Sequence, residues 1–258
     1  MPSFLESEPI AGDPTLHLPR IVCLHGGGTN ARIFRAQCRV LRAQLQPYFR
    51  LVFPEAPFHS EAGPDVVSVF STWGPFKSWI RGDSLAHAAT QTSVAEYAST
   101  IHDSIDAALQ ADDYSGATGP VAGLLGFSQG AKMAGSLLLR EQDRLETEMF
   151  AGYEELFPEY RFAVLLAGRA PLVKFDEDIQ EWCRPPTLRL PTLHVHGLQD
   201  KGLHMHRDLL RLHCTSNSTR LIEWDGYHRV PIKTKDVSRL VREILDMAEE
   251  TGVFLDQQ

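Results

Sequence analysis

The sequence predicts an α/β protein: a mostly parallel sheet of about six strands with helices on both faces. Three observations carry this prediction. Short β-branched or aliphatic runs alternate with amphipathic helical patterns, as in parallel sheets covered on both sides. The 258 residues, 43% of them hydrophobic, suffice for one substantial core and are few for two independent enzymatic units, so a single domain spanning 1–258 is expected. The residues suited to chemistry also fall just past predicted strands, where parallel sheets expose functional groups.

The strands are expected at Arg20–Leu24, Arg50–Phe53, Val121–Phe127, Phe162–Ala167, Thr192–His196 and Arg220–Trp224. Ala31–Leu45 reads as a helix capped by Thr29 or Asn30, and Thr92–Gln110 repeats Val94, Tyr97, Ile101, Ile105 and Leu109 at helical spacing. Gln129–Arg140 and Leu203–His213 follow as helices, and Lys235–Glu250 aligns Val237, Leu240, Val241, Ile244 and Leu245 in one stripe. Two segments interrupt the rhythm. Pro54–Gly82 is too long for a plain connection and carries Phe58, Phe70, Trp73, Phe76 and Trp79, so it is expected to wall a substrate pocket. Glu141–Tyr160 reads either as a short lid-like insertion or as a surface helix with its aromatics turned inward.

A formal net charge of −8 gives no footprint for nucleic acid, which clusters Lys and Arg on one face. Cys23, Cys38, Cys183 and Cys214 have no CxxC pairing and are expected to be reduced. The N-terminus lacks a basic stretch leading into an apolar one, and no window approaches the roughly 20 apolar residues a bilayer requires, so a cytoplasmic protein without a membrane anchor is expected.

Gly126-Phe127-Ser128-Gln129-Gly130 matches G-x-S-x-G between the run VAGLLGF and the helical run QGAKMAGSLLL. A sharp strand-to-helix turn needs small neighbours, and the two glycines remove side chains that would clash. Such a turn exposes the Ser128 hydroxyl and leaves the Gln129 amide at a helix N-terminus, able to donate to a developing oxyanion. An ordinary serine N-cap is the competing reading, and the strand and helix on either side count against it. The strand Ile21–Leu24 ends in His25-Gly26-Gly27-Gly28, the pattern that supplies a second oxyanion donor in many lipases and esterases, with Gly27 or Gly28 as the amide. No G-x-x-x-x-G-K-[ST] or complete G-x-G-x-x-G pattern supports nucleotide binding. His25 is expected to organise the loop.

A hydrolytic triad of this type appears in the order Ser, Asp or Glu, His. Asp200 follows the strand TLHVH, and His228 follows LIEWDG. His228 would take the Ser128 proton while Asp200 holds its other ring N–H. Asp225 lies too close in sequence to reach the far edge of that imidazole, and Asp176 and Asp178 remain fallbacks. Histidines crowd the stretch from His194 to His213, but no H-E-x-x-H spacing occurs and His204 and His206 cannot face one ligand from a helix, so no metal is expected. No cofactor is implied.

The segments LHGGGTNARIFRAQ (24–37), FPEAPF (53–58), GFSQGA (126–131), HVHGLQDKG (194–202) and GYHRVP (226–231) resemble the fungal serine hydrolase family, which includes the ovarian-cancer-associated serine hydrolases. The likeness runs from about Pro19 to Glu249. It implies an α/β-hydrolase fold with Ser128, Asp200 and His228 in the triad positions. Members with a His-Gly-Gly-Gly-Thr-Asn start resemble thioesterases that release a polyketide acyl chain from the carrier domain of a polyketide synthase. That resemblance implies an acyl thioester substrate and a carrier-domain partner. Docking an acidic carrier on an acidic chain would need a local basic patch such as Arg32, Arg35, Arg39 and Arg42, although their helical spacing suits a solvated face better. A general carboxylesterase or acyl-protein thioesterase is the second reading, and a non-catalytic small-molecule-binding protein the third.

Overall fold

A computed structural model describes residues 12–81, 94–151, 159–173, 175 and 187–255. Its main sheet has six strands, β1 (Arg20–Leu24), β2 (Arg50–Val52), β5 (Val121–Phe127), β6 (Phe162–Leu166), β7 (Thr192–Gly197) and β8 (Thr219–Trp224). They lie in the order β2-β1-β5-β6-β7-β8, every pair parallel. The six expected strands are thus present with boundaries shifted by at most one residue. Two short strands, β3 (Phe58–Ser60) and β4 (Phe76–Ser78), pair antiparallel in a separate small sheet.

The helices are α1 (Ala31–Gln37), α2 (Arg39–Leu45), α3 (Pro64–Phe70), α4 (Val94–Tyr114), α5 (Gln129–Phe150), α6 (Leu203–His213) and α7 (Thr234–Glu250). The helix expected over Ala31–Leu45 is broken at Cys38, which leaves the helical region with φ −80° and ψ 8°. Asn30 is the cap: its Oδ1 accepts the Ile33 amide at 2.8 Å. Helix α5 does not stop at Arg140. It runs on to Phe150, so Glu141–Phe150 continues this helix, while residues 152–158 lie outside the described set. Glu141 is buried there and accepts the Glu159 amide and the Arg144 guanidinium.

Two apolar layers fill the space on either side of the sheet, and the strand period of two sorts residues between them. Ile21, Cys23, Leu125, Phe127, Val164, Leu193 and Val195 pack against Phe34, Leu41, Leu45, Val237, Leu240 and Ile244 from α1, α2 and α7. The intervening Val22, Leu24, Leu124, Ala163 and Leu165 pack against Ile101, Ile105, Ala131, Leu138 and Leu209. Cys23, Cys38 and Cys214 are buried free thiols, and burial raises the pKa of each; Cys183 lies outside the described residues.

Histidines occupy part of the second layer. His194 and His196 project from one face of β7, and His206 and His213 come from α6; all four are buried. The His194 and His196 rings lie 6.0 Å apart and the His196 and His206 rings 5.7 Å apart. His194 Nε2 has Thr192 Oγ1 at 3.2 Å and Cys214 Sγ at 3.6 Å. Neither ring nitrogen of His196 has a hydrogen-bond partner among the described residues. Burial lowers the pKa of His194 to about 3 and that of His196 to about 4.

Candidate active site

The strand order reverses at β1: β2 lies on one side of it and β5 on the other. Parallel sheets bind ligands at such a point, beyond the carboxyl ends of the strands. Here the ends of β1, β5, β7 and β8 lead into His25–Gly28, Ser128, Asp200 and His228 respectively.

Ser128 sits between β5 and α5 with φ 54° and ψ −113°, a conformation that costs a non-glycine residue about 1–3 kcal/mol. Its surroundings hold it there. The Ser128 amide donates to Leu166 O at 2.8 Å, and its carbonyl accepts the Lys132 amide at 3.1 Å. A Cβ on Gly126 would lie 2.2 Å from Gly130 O, and one on Gly130 would lie 2.0 Å from Leu24 O. The two glycines therefore let β5, α5 and β1 converge beneath the serine.

His228 Nε2 is 2.9 Å from Ser128 Oγ, and His228 Nδ1 is 2.6 Å from Asp200 Oδ2. These distances suit an Nδ1–H donating to the carboxylate and an Nε2 lone pair accepting the serine proton. The His228 ring also lies 5.0 Å from that of Phe127. Asp200 Oδ1 accepts the Gly202 amide at 2.7 Å, and Oδ2 also faces His206 Nε2 at 2.9 Å. Burial alone would raise the Asp200 pKa. The bonds from Gly202, His206 and His228 outweigh it and hold the pKa at about 2. The structure thus brings together the three residues expected from their order. The alternative acid Asp225 is exposed and bonded to Gln199, and Asp176 and Asp178 lie outside the described residues.

The glycine loop after β1 is bound on several sides. His25 is fully buried; its Nδ1–H donates to Gly26 O at 2.8 Å and its Nε2 accepts the Ala56 amide at 3.0 Å, the organising role expected of it. The Gly28 amide donates to Lys77 O at 2.9 Å. That bond occupies the Gly28 amide, one of the two expected to donate to an oxyanion. Neither the Gly27 nor the Gln129 amide has a backbone acceptor among the described residues. The Gln129 side chain lies against Gly27, with Oε1 accepting the Trp79 amide at 2.7 Å and the Ser78 hydroxyl at 3.1 Å.

The aromatic residues expected to wall a pocket lie in different surroundings. Trp79 is fully buried, donates Nε1–H to His25 O at 2.8 Å and accepts the Tyr97 hydroxyl on its carbonyl at 2.7 Å, so it fastens the core and does not line an open pocket. Phe58 stacks on Tyr97 at 5.9 Å, and Phe70 meets Trp73 edge-on at 5.1 Å. Phe76, in β4, is half-buried beside Gly74.

His206 is a contact the sequence does not reveal, because its pairing with Asp200 depends on how α6 packs on β7. Asp200 Oδ2, His206 Nε2 and His228 Nδ1 do lie within 4.8 Å of one another. A tetrahedral zinc with bonds of about 2.0–2.1 Å would, however, hold its ligand atoms roughly 3.3 Å apart. The separations of 2.6 and 2.9 Å instead describe a proton-linked array.

The sequence matches the family "Serine hydrolase (FSH1)" over residues 15–240. It is 51% identical over 264 residues to "Esterase pigG" of Monascus ruber, covering 94% of this chain and 96% of the relative. A "Probable esterase" of Aspergillus terreus is 53% identical over 251 residues, covering 95% and 94%. Among solved structures, the Bacillus cereus carboxylesterase superposes with a TM-score of 0.52 at 14% identity, covering 92% of this chain and 91% of that one, which speaks to the fold alone. With its parallel sheet and a family match over most of its length, the chain belongs to the FSH1 serine hydrolase family and is a serine hydrolase with the α/β-hydrolase fold.

Proposed function

We propose that Ser128, His228 and Asp200 form the catalytic triad of an enzyme that hydrolyses acyl thioesters, releasing a polyketide acyl chain from the carrier domain of a polyketide synthase. The observation that carries the chemistry is the chain of hydrogen bonds from Ser128 Oγ through His228 to Asp200, at 2.9 and 2.6 Å. His228 removes the Ser128 proton as Oγ attacks the acyl carbonyl. The resulting oxyanion accepts from the Gln129 and Gly27 amides. His228 then gives its proton to the departing thiolate, and the acyl chain stays on Ser128. In the second half, His228 draws a proton from water as it attacks the acyl-serine, then returns it to Oγ as the acid leaves. Asp200, ionised at neutral pH, holds the imidazole orientation and stabilises its charged form throughout.

The carrier-bound thioester is supported by the family resemblance of the motif segments and by the arginine face of α1 and α2. Arg32, Arg35 and Arg39 are exposed, and none of these or Arg42 forms an ion pair with a carboxylate among the described residues. Such a face suits an acidic partner even though the chain carries a net −8. The second reading is a general carboxylesterase acting on small acyl esters, favoured by the relatives' own names.

Rates on an acyl-loaded carrier domain and on free small esters decide between these substrates. Faster turnover of the loaded carrier is expected; equal or faster turnover of the free esters overturns the carrier reading. Ser128→Ala should abolish labelling by a fluorophosphonate probe, and stoichiometric labelling of that variant would overturn the nucleophile.

A further inference from the structure

We propose that His206 is a positioning residue of the reaction: a buried imidazolium, held between the Gly168 carbonyl and Asp200 Oδ2, that fixes the carboxylate and offsets its charge behind His228. This inference rests on the triad reading above.

The argument is one of donors and acceptors. His206 Nδ1 lies 2.9 Å from Gly168 O, and a carbonyl oxygen only accepts, so Nδ1 carries a proton. Nε2 lies 2.9 Å from Asp200 Oδ2, and a carboxylate also only accepts, so Nε2 carries a second proton. A neutral ring has one N–H and would turn a lone pair on one of these oxygens. His206 is fully buried, so no solvent rearrangement relieves that repulsion.

The electrostatic surroundings pull in two directions. Burial lowers the His206 pKa, and Arg169, on the loop after β6, opposes a second positive charge; Asp200 and the Gly168 carbonyl favour it. The other ionisable groups facing the ring are His196 from β7, at 5.7 Å, and His228 from the loop after β8, at 6.1 Å between ring centroids. Arg207 is the neighbouring charge on α6 itself, and it is turned outward to Glu223. His196, with its pKa near 4, is neutral and adds no competing charge at neutral pH. Burial is the largest of these influences and lowers the His206 pKa; the case for two N–H groups rests on the two acceptors at 2.9 Å, one of them a buried carboxylate, because charge-assisted bonds strengthen in a low-dielectric interior.

The consequence reaches the base. Asp200 accepts three bonds, from Gly202, His206 and His228, so it cannot rotate away when His228 turns toward a leaving group.

The direct test is nitrogen NMR of the intact protein labelled with ¹⁵N-histidine. One histidine with both ring nitrogens protonated at pH 7.5 is expected, absent from the spectrum of His206→Gln. If every histidine keeps one unprotonated ring nitrogen at that pH, the proposal fails, whatever the outcome for catalysis. The kinetic test compares two variants. His206→Leu should lower kcat about 10–100-fold with KM little changed, because Asp200 loses a support. His206→Gln restores a neutral donor, so kcat should largely recover. A leucine variant that keeps the parental kcat, or a glutamine variant that recovers nothing over leucine, overturns the positioning role. Loss of fluorophosphonate labelling in Ser128→Ala reports on the triad separately, so the two readings fail independently.

Discussion

Replacing His196 with leucine removes an imidazole that is buried with neither ring nitrogen paired among the described residues, and it tests whether that side chain makes the fold sensitive to acid. The folded-state pKa of His196 is about 4, lowered chiefly by burial and further by His206. An unfolded histidine titrates near 6.5. Between these two values the unfolded chain binds a proton that the folded chain refuses, so stability falls as pH drops from 6.5 toward 4 and is fully present above 6.5. At pH 5.0 the unfolded state is favoured by RT ln(1 + 10^1.5), about 2 kcal/mol, and at pH 7.5 by less than about 0.1 kcal/mol. Leucine has no such proton to take up. The stability advantage of His196→Leu over the parent should therefore grow by about 2 kcal/mol between pH 7.5 and pH 5.0, whatever its value at the higher pH. Urea unfolding of both proteins at the two pH values, at constant ionic strength, measures this directly. Taking the difference between proteins cancels every other titrating group that the substitution leaves alone. An advantage of the same size at both pH values would refute the reasoning.

Two further substitutions test the packing around the site. Gly130→Ala would place a Cβ 2.0 Å from Leu24 O and 2.5 Å from His25 O, both backbone atoms that cannot yield, and a loss of more than about 4 kcal/mol is expected. A thermal midpoint equal to that of the parent would show that the close approach of β1 and α5 is not obligatory. Asn30→Ala removes the cap of α1 together with the Nδ2 bonds to Trp73 O at 2.7 Å and Pro75 O at 3.0 Å. These losses sum to about 2–3 kcal/mol, roughly 5–10 °C in Tm, and calorimetry showing no change would contradict the account.

The main sheet was legible because its strands are short, apolar and bounded by turn residues, and the site because a strand-turn-helix serine and two later strand ends follow one chemical order. Other features depend on contacts that no local pattern records. The apolar period of Ile33, Phe34, Leu41 and Leu45 runs on through the break at Cys38, so the sequence reads as one helix. The continuation of α5 past Arg140 carries charges that suggested an insertion; in the fold they serve the helix, with Arg144 pairing Glu141 and Glu148. Aromatic content between 54 and 82 pointed to a pocket, yet residue type does not reveal whether a ring faces ligand or core. Trp79, whose indole N–H finds His25 O, belongs to the core. Gly27 and Gly28 are likewise indistinguishable by sequence, and only the bond from Gly28 to Lys77 O separates them.

Gln129 joins two parts of the molecule that are far apart in the chain. Its amide opens the first turn of α5 beside Ser128, while its side chain grips the backbone at Trp79 just beyond β4. A displacement of β4 would therefore pull on the first turn of α5 and disturb the residue that follows Ser128. Under the triad reading proposed above, a strain applied at β4 would reach the rate of attack without touching the triad itself.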